Sequence, residues 1–341
     1  MYRIGKSLVN MESSNKLENK DMYQIYNYVI DGNTAKEREF NQTKTLDTIY
    51  KYNDVNLGVN LSYSNRVPVC TMKIIKNELA EYEELGLPDI LRKFTHESQG
   101  LILVTGKNKS GKTTTLNALV RHINETQNKK ILFLDKTIQY MHKSRNSIIV
   151  QKEVGERKDC VTYADGIKNA IEEDCDVVVI GQIRDKETME AAVEMAESGC
   201  LVIAGLHTDS CIETIDKIVN FYNKKDQQQI KYLLSKLLKL VISQKLMTGT
   251  KSKIELVPEV MVVDKKIAEL IRNEKIDFVE IEKVIQNSKE SISLINSLAK
   301  LYVENKITLK QAKAELEESK IEILNNTIMK MRLLDKKKGK V

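Results

Sequence analysis

The sequence predicts an α/β protein: a largely parallel sheet covered by helices between Gly100 and about Asp264, with a small α+β module before it and helices after it. Three observations carry this reading. Short apolar runs alternate with helical periodicities through the middle of the chain. One of those runs, Leu101 to Val104, leads straight into a glycine–lysine motif that opens a helical segment. The 341 residues are 41% hydrophobic and 30% charged, with 14 Gly, 3 Pro and no Trp. That composition supplies cores for roughly two domains and favours Lys-rich, Glu-rich helices over a sandwich or a collagen-like chain.

Residues 1–95 form the expected first module. A helix-like stretch at Asp21 to Ile30 precedes alternation at Val55 to Ser62 and a β-branched run at Val67 to Ile75. A short charged helix around Glu78 to Glu84 and the Gly86-Leu87-Pro88 break end it. In the second domain, 98–264, the strand candidates are Leu101 to Val104, Ile131 to Leu134, Ile148 to Val150, Val177 to Ile180 and Leu201 to Ala204. Residues 265–341 read as helices, at Lys265 to Glu274, Ile292 to Glu304 and Leu309 to Leu334, with apolar residues three and four apart. Such a tail either packs on a neighbour or forms a solvated bundle.

Gly106-Lys107-Asn108-Lys109-Ser110-Gly111-Lys112-Thr113 satisfies G-x-x-x-x-G-K-[ST] between a strand and a helix, the context a phosphate-binding loop requires. Its glycines let backbone N–H groups turn inwards onto phosphate oxygens, and the helix N-terminus adds its positive end. Lys112 is placed to neutralise the β- and γ-phosphates and Thr113 to ligate Mg²⁺. Gly106, Lys109, Ser110, Gly111, Lys112, Thr113 and Thr114 are therefore the candidate residues for ATP, with Thr113 as the metal ligand. Hydrolysis also needs a group that positions the attacking water. Gln182, at the end of the strand Val177 to Ile180, offers an amide there, which can orient a water but cannot take its proton.

The remaining patterns exclude several classes. The net charge of +6, from 54 basic and 48 acidic residues, is diluted along the chain, and with 5% aromatics it argues against a nucleic-acid motor. The dense basic run Lys336-Lys337-Lys338 with Lys340 reads as a solvated tail. No apolar run approaches the ~18 residues of a membrane span, and Met1 to Ser14 contain no signal-like apolar block. Cys70, Cys160, Cys175, Cys200 and Cys211 never form C-x-x-C, which fits a reducing compartment and rules out a four-cysteine zinc knuckle.

Together the motifs resemble the secretion-type ATPases, and among them the PilT-type twitching-motility ATPases that retract type IV pili. The resemblance rests on Asn65-Arg66, the segment Gln99 to Gly106, the phosphate loop, Asp176 to Thr188 with its G-x-x-R-D-x-E-T pattern, Ala196 to Gly199, Gly205-Leu206-His207-Thr208, Thr214-Ile215-Asp216, Val241 to Leu246 and Leu270-Ile271-Arg272. It implies a PAS-like N-terminal domain joined to a RecA-like ATPase domain. It also implies a cytoplasmic hexamer at the inner face of the cell membrane, with ATP at subunit boundaries and a type IV pilus inner-membrane platform protein as partner. A paralogous pilus ATPase is a further partner it suggests. By the same resemblance His207 stands in the histidine box near the γ-phosphate, and Arg66 is an arginine that stabilises charge on the transferred phosphoryl group.

The departures from the family pattern cluster at catalytic positions. The glutamate of V-G-E-x-R-D is Gln182, and the acidic box E-D-P-I-E reads Asp135-Lys136-Thr137-Ile138-Gln139, which leaves Asp135 as its acid. Two further arginine positions carry Lys73 and Gly58, and the A-I-R-N-L-I-R-E helix reads Lys266 to Asn273. Met1 to Gly5 resembles the strand that follows the family's first helix and strand, so the start looks shortened. Two readings follow: a hexameric motor that couples ATP hydrolysis to pilus retraction, and a hydrolysis-deficient ATP-binding regulator of pilus or type II secretion machinery.

Overall fold

The computed structural model describes residues 2–4, 7–10, 16–53, 55–75, 79–156 and 158–337, which fall into two compact units, Met1–Glu78 and Leu79–Val341. In the first unit a small hairpin, β1 (Tyr2–Ile4) with β2 (Ser7–Val9), precedes α1 (Asn19–Ile30) and α2 (Thr34–Thr43). An antiparallel meander follows, β3 (Thr45–Tyr52), β4 (Val55–Ser64) and β5 (Val67–Ile75). A capping box between Glu18 and Asp21 starts α1, and Asn33 Oδ1 accepts from the N–H groups of Ala35 and Lys36 to start α2. The turn between β4 and β5 is Asn65-Arg66, both at positive φ (50° and 67°), the two-residue geometry that matches strand twist. Val29, Phe40, Leu46, Val59 and Leu61 form this unit's own core.

The second unit begins with a single turn at Tyr82–Gly86 in place of the short charged helix expected there. Its Leu85 N–H reaches back to Glu81 O at 3.2 Å, and Gly86, at φ +68°, with Pro88 beyond it, ends the turn. Tyr82, Leu87 and Leu91 of α3 (Ile90–Phe94) pack against the strands that follow. The change of unit thus comes at Glu78–Leu79, before rather than after this segment.

The elements then run β6 (Gly100–Thr105), α4 (Lys112–Thr126), β7 (Lys130–Asp135), β8 (Ile148–Glu153), α5 (Tyr163–Glu172), β9 (Val177–Ile180), α6 (Lys186–Glu197), β10 (Leu201–Leu206), α7 (Cys211–Asn220), α8 (Gln227–Leu237), β11 (Leu238–Thr248) and β12 (Ile254–Val262). Their sheet has the order β12-β11-β6-β10-β9-β7-β8. Its pairs are parallel except β11 with β12. Each buried strand divides its apolar residues between two cores, as alternation requires. Leu101 and Leu103 face α5, α6, α7 and α8 on one side, and Ile102 and Val104 face Leu116, Leu119, Val120 and Ile123 of α4 on the other.

The helices expected after Val263 are α9 (Lys265–Arg272), α10 (Phe278–Asn287), α11 (Leu294–Val303), α12 (Leu309–Ala314) and α13 (Glu318–Lys337). Ile292 is bridged to Val260, so α11 starts later, on Ser293, whose side chain accepts from Asn296 N–H. The expected helix 309–334 is two, broken at 315–317, where Glu315 turns to Lys245 (3.1 Å). Leu298, Leu324 and Ile328 close on Val257 of β12 in a third core, so the tail packs on its own chain. Lys338 and Lys340 of the basic run lie outside the described residues.

Leu103, with no exposed surface, sits at the centre of the larger core. Leu103→Ala is expected to cost about 2–5 kcal/mol, read as a lower urea midpoint with an unchanged slope; an unchanged midpoint contradicts the packing described.

Candidate nucleotide site

The phosphate loop leaves β6 at Thr105 and returns into α4 at Lys112. Gly106 (φ +143°), Lys109 (φ +66°) and Gly111 (φ +92°) give it the positive-φ conformation that turns N–H groups inwards. A Cβ on residue 106 would overlap Ser110 Oγ and lie 2.5 Å from the Gln244 carbonyl oxygen, so only glycine fits. Lys112 Nζ donates to Gly106 O (2.7 Å) and Lys107 O (2.9 Å), and burial lowers its pKa. Ser110 Oγ is buried and has no hydrogen-bond partner among the described residues. A buried donor without a partner, beside a folded-back ammonium and a helix N-terminus, is the environment that a phosphate group satisfies.

No group of three or more His, Cys, Asp or Glu able to hold a metal occurs among the described residues. Mg²⁺ needs none, because it is commonly held by few protein ligands together with phosphate oxygens and water. Thr113, in the first turn of α4 beside Lys112, is the residue placed to supply such a ligand.

The ends of the neighbouring strands converge on this loop. A Cβ on Gly181 would overlap the Asp135 carboxyl, and one on Gly205 would overlap the Gly181 carbonyl oxygen, so β7, β9 and β10 meet without intervening side chains. Asp135 Oδ1 accepts from Lys136 N–H (2.8 Å) and from the Tyr163 hydroxyl (3.4 Å). Burial nevertheless pushes its pKa up to about 6. Gln182 Oε1 accepts from Arg184 Nη2 at 2.8 Å. Asp185, the next residue of that motif, caps α6 by accepting from Thr188 N–H (2.8 Å). His207 follows β10; its Nδ1 is buried without a partner among the described residues, and its carbonyl accepts from Lys217 Nζ (2.8 Å). Two residues on, Asp209 pairs with Lys107 of the phosphate loop at 2.7 Å.

Gly106 to Thr114, Asp135, Gln182 and His207 thus all stand at the C-terminal ends of adjacent parallel strands, where open α/β sheets bind ligands. Arg66 belongs to the other unit, at the β4–β5 turn, where its carbonyl accepts from the Tyr23 hydroxyl (3.3 Å). Sequence reasoning gave no role to Gln244, whose Nε2 donates to Thr115 Oγ1 (2.7 Å) and whose carbonyl walls Gly106. The Val241 to Leu246 segment flagged the place but not the contact. It also passed over Asn117 and His142, for which no spacing signal exists.

The family model described as "Type II/IV secretion system protein" matches residues 59–256, and the chain belongs to that family. It is 32% identical over 261 residues to the twitching motility protein of Neisseria gonorrhoeae, covering 76% of this chain and 69% of that one. It is 30% identical to the type IV pilus retraction ATPase PilT of Pseudomonas aeruginosa, covering 76% and 75%. Among solved structures, the pilus retraction motor PilT with bound ADP superposes with a TM-score of 0.78 at 32% identity, covering 84% of this chain and 82% of that one. The fold is the α/β architecture of these secretion ATPases, with a RecA-like parallel sheet, and among the described residues no helix is long and apolar enough to cross a membrane.

Asp135 sets a pH dependence. Its folded pKa, about 6, lies above that of an unfolded aspartate, so the native state holds the extra proton between roughly pH 4 and 6. Stability therefore falls as pH rises through that window, and the cost of the buried charge is complete above it. Without nucleotide, Asp135→Asn is expected to melt a few degrees higher than the parent at pH 8 and to lose that advantage by about pH 4. A constant difference across this range in differential scanning fluorimetry contradicts the burial assigned to this carboxyl.

Proposed function

We propose that this chain is an ATP-dependent motor of the pilus-retraction class, working as a hexamer with nucleotide between neighbouring copies and acting on a membrane platform protein of the pilus machinery. The observation that carries the reading is Lys112 Nζ resting on the Gly106 and Lys107 carbonyls beside the orphaned Ser110 hydroxyl. A triphosphate would take over the ammonium and satisfy the hydroxyl. The sequence relationship to pilus ATPases supports the motor role, and it supports Arg66 as an arginine lent to a neighbouring copy.

In this reading Lys112 neutralises the phosphates, and Thr113 supplies the hydroxyl for Mg²⁺, which screens phosphate charge when bound. Gln182 presents its amide N–H groups, since its oxygen already accepts from Arg184. It can orient a water and cannot deprotonate it. Asp135 becomes the proton acceptor, and a carboxyl with a pKa of about 6 is well matched to that task near neutral pH. His207, with Nδ1 uncommitted among the described residues, stands on the adjacent strand end.

Gln182 also favours a second reading, an ATP-binding regulator that has lost hydrolysis. ATP binding and steady-state hydrolysis, measured on the same preparations, separate the two. The motor reading expects turnover in the parent chain, loss of both binding and turnover in Lys112→Ala, and retained binding with turnover reduced at least 100-fold in Asp135→Asn. It also expects Gln182→Glu to be at least tenfold faster than the parent. Binding without turnover in the parent, restored by Gln182→Glu, establishes the regulator instead. No binding at all rejects both.

A further inference from the structure

The excursion that follows Asp135, residues 136–147, is sewn to α4 by two buried asparagines two turns apart. Asn124 Nδ2 donates to Lys143 O (2.8 Å), and Asn124 Oδ1 accepts from Arg145 N–H (2.9 Å). Asn117, 1% exposed, does something different. Its Nδ2 donates to Thr113 O (2.7 Å), and its Oδ1 meets His142 Nε2 at 2.7 Å. Because the Thr113 carbonyl can only accept, Asn117 must offer its amide nitrogen there and its oxygen to the imidazole, which fixes His142 as the Nε2–H tautomer. Burial keeps that ring neutral, with a pKa lowered to about 4, so one tautomer serves throughout the physiological range. His142 is anchored in turn: its backbone N–H donates to Gln151 Oε1 (2.8 Å), and Gln151 Nε2 donates to Tyr140 O (2.8 Å).

We propose that His142 is a positioning residue for the metal–nucleotide site. Through Asn117 it ties the turn of α4 that carries Thr113 to the loop that begins at Asp135, and so holds the hydroxyl for Mg²⁺ in register with the acidic strand end. Asn124 secures the same loop without touching Thr113, so it separates this role from general support of the loop. The inference rests on the nucleotide-site reading above.

Binding of a fluorescent ATP analogue in Mg²⁺ and in EDTA tests it. His142→Ala is expected to weaken Mg²⁺-dependent binding about tenfold while changing binding in EDTA less than twofold. His142→Gln, whose amide can still donate to Asn117 Oδ1, should recover most of the loss, and Asn124→Ala should not reproduce the Mg²⁺-selective defect. Equal weakening in both conditions, no weakening in Mg²⁺, or the same selective defect in Asn124→Ala overturns the proposal. Hydrogen exchange on the nucleotide-free chain supplies the second readout. His142→Ala should speed exchange across Thr113–Asn117, and an unchanged rate there overturns the proposal whether or not nucleotide binds. Faster exchange in His142→Ala, together with a parent chain that binds no ATP, rejects the nucleotide-site reading and leaves the His142–Asn117 tether standing.

Discussion

At the phosphate end of the central sheet, backbones approach so closely that side chains have no room at three positions. A Cβ at residue 106 would overlap Ser110 and crowd the Gln244 carbonyl, one at 181 would overlap the Asp135 carboxyl, and one at 205 would overlap the Gly181 carbonyl. These exclusions bring the ends of β6, β7, β9, β10 and β11 together around one loop. The rest of the site follows from them. With the strand ends in contact, Asp135, Gln182 and His207 need only follow their strands to stand at the phosphate-loop end of the sheet, and the desolvation that results there sets the chemistry of the Asp135 carboxyl.

That burial alters the charge balance of the site. Asp135 has no cation in hydrogen-bond contact among the described residues, only Lys136 N–H and the Tyr163 hydroxyl, so desolvation dominates and raises its pKa. At position 182 a carboxylate beside Arg184 would form a charge-assisted pair, whereas the amide makes a weaker, directional bond to the same guanidinium. On the proposed reading, phosphate is held through Lys112, Ser110 and the inward N–H groups, and the proton-accepting role falls to Asp135.

The phosphate loop was legible because its constraint is local: glycine where φ is positive, lysine and threonine at the helix start. The buried strands Leu101–Val104 and Val177–Ile180 were legible as short apolar runs for a similar reason. β11 was not, because Leu233, Leu234, Leu237, Leu238 and Val241 continue the helical spacing of α8 into the strand. Only the opposite facing of Val241 and Ile242, into separate cores, reveals its period of two. The break in the C-terminal helix at 315–317 carries no Gly or Pro; tertiary contacts in the third core and the Glu315–Lys245 pair override propensity there. Gln182 and Asp135 could be picked out as departures in residue type. That the Asp135 carboxyl is desolvated depends on contacts across strands that no spacing records, and that Gln182 is held by Arg184 depends on a side-chain bond within its own loop.

The central claim is that Lys112, resting on the Gly106 and Lys107 carbonyls, is the cation of a phosphate site. A crystal structure of the chain with Mg²⁺ and a non-hydrolysable ATP analogue tests it most directly. The account predicts that Lys112 Nζ leaves the Gly106 and Lys107 carbonyls for the β- and γ-phosphate oxygens and that Ser110 Oγ gains a phosphate or backbone partner. An analogue bound elsewhere, or bound here with Lys112 still on those two carbonyls, contradicts it.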